Sequence, residues 1–117
     1  MAADADVVAQ TEYRERGVLY VDELQHVKTK QEVDVTGSVD SHRAGTDGHR
    51  SVLRLRSADD HGVEHYASIE FSADVFGSIC PRAGSTATVR NCQYALQFDS
   101  DTHEFRLHAD DTAEFVL

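Results

Sequence analysis

The chain reads as all-β, closed into one small barrel of five strands with a short helix between the third and fourth. Three observations predict this. Apolar and polar residues alternate in five separate runs, Gly- and Asp-rich turns punctuate the runs, and the alternation breaks once, after the third run, into a helix-like spacing. At 117 residues the chain fits a single domain, and its 40% hydrophobic content is enough for a real core.

Residues 1–16, "MAADADVVAQTEYRER", are polar and acidic without clean periodicity, so they are expected to be flexible or partly helical and outside the core. The domain proper is placed at 17–117. In "GVLYVDELQHV", Val18, Val21, Leu24 and Val27 fall three apart, which suits a short amphipathic turn or strand covering one end of the barrel.

The period then changes to two. In "QEVDVTGSVDS", Val33, Val35 and Val39 alternate with polar neighbours, and Gly37 interrupts the run where a bulge or tight bend would let a long strand turn a barrel corner. "HRAGTDGHR" is a loop, and "SVLRLRS" is the second strand, with Leu53 and Leu55 on one face and Arg54 and Arg56 on the other. "ADDHG" has the residue types of a turn. In the third strand, "VEHYASIEF", Ala67, Ile69 and Phe71 point inward against Tyr66, Ser68 and Glu70.

"SADVFGSI" departs from alternation: Ser72 can cap a short helix with Val75, Phe76 and Ile79 along one face, stopped by Pro81. Two closing strands, "STATVRNCQYALQF" and "HEFRLHADDTAEFVL", flank a loop near Asp99 to Thr102. Five strands with one inserted helix is the order of the Greek-key OB-fold barrel, and closure removes exposed sheet edges. A small sandwich would not need the helix.

Charge and composition narrow the function. The net charge is -10, and a chain of that sign repels phosphate at long range. Its basic residues are almost all arginine, with Lys28 and Lys30 the only lysines, and aspartates cluster in "DAD", "SADD", "DSD" and "HADD". That pattern resembles proteins of extreme halophiles, where surface acid is a general adaptation. No apolar run approaches the ~20 residues needed to span a bilayer, and the first ten residues have no leader pattern, so an intracellular protein with no membrane contact is expected.

Cys80 and Cys92 form neither a CxxC pair nor part of a metal-spaced quartet. His61 and His65 sit four apart around a turn and strand start, roughly 13 Å along an extended chain, so no metal site is expected unless the turn folds back. Without a G-x-S-x-G, a phosphate-cradling glycine loop or a Cys with an adjacent His, the chain is expected to be no enzyme and to need no cofactor.

The ordered set "VDVTGSV", "LRLRSADDHG", "YASIEFSADVFGSI", "AGSTATVRNCQYAL" and "HEFRLHADDTAEFV" resembles the single-stranded-DNA-binding OB domains of replication protein A and its archaeal relatives. Val33, Val35, Gly37 and Val39 match the first-strand pattern, Asp59, Asp60 and Gly62 the turn, and Gly84, Val89 and Asn91 the fourth strand. The resemblance implies a binding groove across the outer face of the second and third strands, bounded by the first and last interstrand loops. Such a groove needs flat groups for bases to stack on and cations for phosphates. Arg54, Arg56, Tyr66, Arg90 and Arg106 supply outward candidates, Arg43 and Arg50 flank the first loop, and Phe98 and His103 flank the last.

The chain departs from the family in lacking tryptophan, in placing Glu70 on the outward face, and in carrying Asp99 and Asp101 beside Phe98. The implied function is single-stranded DNA binding in replication or repair, with RNA left open. The alternative is a small structural OB subunit that binds other OB-fold subunits, since "ERGVLYVDEL" is similar to the small telomere-capping subunit.

Overall fold

A computed structural model describes residues 17–45, 50–72 and 81–117. They form seven strands and one short helix: β1 (Val18–Tyr20), a 3-10 helix (Val21–His26), β2 (Gln31–Arg43), β3 (Ser51–Ala58), β4 (Glu64–Phe71), β5 (Thr86–Asp99), β6 (Glu104–Ala109) and β7 (Glu114–Val116). The expected helix carrying Val75, Phe76 and Ile79 lies outside the described residues, as does the expected 1–16 arm.

Five of the strands close the barrel in the order β2, β3, β4, β6, β5 and back to β2. The pairings are antiparallel except β4 with β6, which run parallel from Tyr66 opposite Glu104 to Phe71 opposite Ala109. This is the OB-type all-β barrel. Its five strands are those expected, and two short strands are added to them. β1 lies parallel to β2 at Asp34, Val35 and Thr36, and β7 lies antiparallel to β5 at Thr88, Val89 and Arg90.

The strand expected to run to the end of the chain is therefore broken. Asp110 stops it: its Oδ1 accepts the Thr112 amide at 2.9 Å, and the Ala113 amide donates to the Asp110 carbonyl at 3.1 Å. The resulting turn sends β7 off β6 and onto β5, where Phe115 packs at 4.9 Å from the Phe71 ring.

Alternation places the core. Leu53, Leu55, Ala67, Ile69, Phe71, Phe105 and Leu107 are buried, and each large one is worth about 1.5–3 kcal/mol on burial. The three-residue spacing of Val21 and Leu24 becomes a 3-10 helix, whose turn of three residues puts both side chains on one line, fully buried against the barrel. Its first turn is tied down when the Tyr20 amide donates to Glu23 Oε1 at 2.8 Å and the Asp22 amide donates to Ser57 Oγ at 2.9 Å.

Gly37 is not itself the bulge. Register shifts fall on either side of it, between Val33 and Val35 and between Val39 and Ser41. Gly37 is instead a point of close approach: a Cβ there would lie 2.7 Å from the Arg56 carbonyl oxygen and 3.0 Å from Val21 Cγ2. β2 does turn the corner here, because Ser38 pairs with both Arg56 of β3 and Thr86 of β5.

Candidate nucleic-acid interface

The sheet register sorts the outward side chains of β3, β4 and β6 into cross-strand rows. One row runs from Val52 through Glu70 and His108 to Gln93, the next from Ser41 through Arg54, Ser68 and Arg106 to Gln97, and the third from Ser38 through Arg56, Tyr66 and Glu104 to Asp99. Arg54 sits at the centre of this face. Its Nη1 donates to Asp40 Oδ2 at 3.0 Å and its Nε to Glu104 Oε2 at 3.0 Å, while its guanidinium lies 3.9 Å over the Tyr66 ring.

Glu104 is shared further, accepting from Ser68 Oγ at 2.8 Å and standing 4.0 Å from Arg106 Nε. Two carboxylates and an aromatic face thus hold one guanidinium flat, with its charge neutralised and its side chain 30% exposed. A flat, fixed and partly exposed guanidinium offers a stacking plane more than a net charge.

Arg56 and Arg106 differ from Arg54. Among the described residues Arg56 is exposed with no ion pair, and the Arg106 side chain, 61% exposed, has a long contact to Glu104. They flank the Arg54 and Tyr66 stack and carry the freest positive charge on the face. Arg43 is exposed at the end of β2 opposite Val52, and Arg50 Nη1 approaches His108 Nδ1 at 3.0 Å, so both border the face at the opposite end of the barrel from the β5–β6 turn.

Arg90, Phe98 and His103 are not gathered with them. Arg90 lies opposite Glu114 on the β5 and β7 side. Phe98 pairs directly with the buried Phe105, their rings 4.6 Å apart, which puts it on the inner side of the wall. His103 stands in the turn before β6 with φ of 52°, its ring 5.3 Å from His65 and 6.1 Å from Phe98. Its carbonyl accepts the Tyr66 amide at 2.9 Å, so this second cluster borders the third outward row.

Phe98 and His103 line a cleft of about 420 Å³ at the barrel end that carries the β3–β4 and β5–β6 turns, together with Asp59, His65, Tyr94 and Phe105. The turn does fold back, but it brings Asp59, rather than His61, to His65. His65 Nε2 meets Asp59 Oδ2 at 2.9 Å while Asp59 Oδ1 accepts the amides of His61 and Val63. These bonds, that from His65 first, hold the Asp59 carboxyl below its ordinary value. Burial raises the Tyr94 hydroxyl.

Among the described residues no three His, Cys, Asp or Glu side chains stand close enough to hold a metal ion. Cys92 is a free, buried thiol, pushed up to about 12 chiefly by desolvation and further by the nearby Asp110 charge. No helix among the described residues is long and apolar enough to cross a membrane.

Two features escape a reading of the sequence: the acids around Arg54, and the Asp59 and His65 pair. The first depends on register, which alternation does not reveal. The second has a signal in "DDHGVEH", since a tight turn brings its flanks together.

No family model matches the chain, and no curated protein does. Among solved structures the barrel is similar to the crystal structure of the tetrameric p202 HIN2, at 17% identity and a TM-score of 0.58, over 84% of this chain and 47% of that one. The chain thus spans about half the length of that neighbour. At this identity the likeness establishes the OB-like fold alone.

Proposed function

We propose that the outer face of β3, β4 and β6 binds single-stranded DNA without catalysing a reaction, in the single-strand steps of replication or repair inside the cell. The observation that supports this reading is the Arg54 guanidinium, clamped flat over Tyr66 by Asp40 and Glu104 and flanked by the exposed Arg56 and Arg106. A base stacks on the guanidinium plane for about 1–3 kcal/mol, and neighbouring phosphates approach Arg56 and Arg106. With the central cation already neutralised, affinity rests on stacking more than on counterion release. The net charge of -10 is compatible with that balance.

The test is fluorescence anisotropy of an oligo-dT of about 25 nucleotides at low and at molar potassium chloride, with duplex as control. Single-strand binding with a shallow salt slope, weakened when Arg56 and Arg106 are both replaced by Ala, is the expected result. Equal affinity for duplex, or no change in the double variant, overturns the assignment. An RNA strand of equal length in the same assay shows which sugar is preferred.

A second reading, a structural subunit for a protein partner, has in its favour Leu96 of β5 and Val116 of β7, exposed at 42% and 43%. The solved neighbour is itself described as tetrameric. Absence of strand binding together with a stable assembly in light scattering would favour it.

A further inference from the structure

The cleft at the barrel end has features that strand binding on the outer face leaves unused. Its walls are flat: Phe98 against Phe105 at 4.6 Å, Tyr94 edge-on to Phe105 at 5.9 Å and His103 edge-on to His65 at 5.3 Å. Phe98 and Val63 at its rim are 43% and 40% exposed, a large share for apolar side chains lining a concavity. Of its polar groups, Gln25, Asp59, His65 and His103, one lies deep with an open valence. His65 is 4% exposed, and its Nδ1 is buried with no hydrogen-bond partner among the described residues.

The identity of that atom narrows the ligand. Asp59 can only accept, so His65 Nε2 carries the proton between them, and in the neutral ring Nδ1 keeps its lone pair. Asp59 is largely committed, with Oδ1 taken by two amides and Oδ2 by His65, which leaves it a single lone pair on Oδ2. The cleft therefore offers aromatic walls, a buried acceptor with no partner among the described residues and, at its exposed edge, the Gln25 amide. Among the described residues no Arg or Lys lines it, and a carboxylate or phosphate would face Asp59. A hydrocarbon would leave Nδ1 unmet.

We propose that this cleft binds a single nucleobase, which stacks on the Phe98 ring with its edge against His103 and donates an exocyclic N–H to His65 Nδ1. The volume of about 420 Å³ lies in the lower part of the ~300–1,000 Å³ range of small-ligand pockets and suits one base with its sugar outside. His103 links the cleft to the outer face, because it directly precedes Glu104 and its carbonyl holds Tyr66. The same chemistry thus receives either a free nucleoside or the unpaired end base of a strand leaving that face. Only the end-base source rests on the strand-binding function proposed above.

The test is an NMR titration of the whole chain with adenosine, with purine riboside, which lacks the amino donor, and with N-acetyltryptophanamide. Adenosine is expected to shift the His65, Phe98 and His103 ring signals and saturate. Purine riboside should bind about tenfold more weakly for want of the hydrogen bond. Phe98→Leu should weaken adenosine binding about tenfold by loss of stacking. His103→Asn, which tolerates the same turn geometry, should do likewise with the fold intact.

Equal binding of adenosine and purine riboside, shifts confined to Arg54 and Ser68, or no shift up to about 10 mM each overturn the proposal. So does tighter binding of the tryptophan amide at these rings, which would assign the cleft to a partner's side chain. Adenosine carries no phosphate, so this arm stands or falls apart from strand binding. An oligo-dT ending in adenine distinguishes the sources. A tighter complex than plain oligo-dT, reversed by His103→Asn, makes the ligand an end base; no gain, with adenosine still bound, makes it a free nucleoside.

Discussion

Replacing Gly37 by Ala is expected to destabilise the barrel at the corner where β2, β3 and the 3-10 helix meet. The added methyl would stand 2.7 Å from the Arg56 carbonyl oxygen, a backbone atom, and 3.0 Å from Val21 Cγ2. To restore ordinary contact at 3.4 Å, β2 and β3 must part by roughly 0.7 Å at a point where Arg56 pairs on both sides, with Ser38 and with Tyr66. Overpacking of this kind costs about 1–3 kcal/mol, and the backbone partner places it in the upper half of that range. Loss of glycine's freedom in the unfolded chain returns about 0.4–1 kcal/mol. The net is about 1–2.5 kcal/mol, a fall in Tm of roughly 4–15 °C for a domain of this size. Urea and thermal denaturation followed by circular dichroism measure it. A Tm within about 2 °C of the parent would show that the sheet absorbs the methyl and that close approach does not explain this glycine.

Glu104→Gln should lower stability by about 1 kcal/mol, since Arg54 and Ser68 exchange a charged acceptor for a neutral one at a partly exposed site. The same change loosens one of the two clamps that hold the Arg54 plane, so oligo-dT should bind more weakly, and unchanged or tighter binding would contradict the role of the fixed guanidinium. Asp59, held below its ordinary value, contributes stability that is present above its unfolded pKa and is lost as pH falls through its folded value. Denaturation midpoints of Asp59→Asn should therefore fall less than the parent's between about pH 5 and pH 2, and parallel curves would refute the linkage. In a Cys80→Ser background, the Cys92 thiol should resist alkylation at about pH 8 while the protein is folded and react readily in urea. Leu96 has φ of 62° with an exposed side chain, so Leu96→Gly should raise stability by about 1 kcal/mol in the same melts; no gain would mean that the strain is absent.

Parity along single strands is legible in the amino-acid sequence, because period two is a local property. Leu53 and Leu55 against Arg54 and Arg56, and Ala67, Ile69 and Phe71 against Tyr66 and Ser68, stand as alternation places them. Register is not legible there, because it depends on bulges that parity does not count. In β5 the apolar spacing jumps from Val89 to Cys92, and the jump marks Asn91, whose φ is 58° and whose amide donates to Asp34 Oδ1 at 2.8 Å. A second slip between Tyr94 and Gln97 throws Leu96 outward and returns Phe98 to the inner side. These slips decide which residue opposes which. The parallel register of β4 and β6, equally invisible to parity, brings Glu104 level with Tyr66, where it neutralises Arg54.

The seam between β2 and β5 also governs how the barrel forms. Its partners, from Ser38 opposite Thr86 to Gln31 opposite Tyr94, are roughly fifty to sixty positions apart, so a long stretch of chain must be ordered before the seam repays its closure entropy. Folding is accordingly expected in the millisecond-to-second regime of non-local β topologies. Until the seam closes, β2 and β5 each offer an unpaired edge to other chains, so refolding at high protein concentration is where this barrel is most exposed to aggregation.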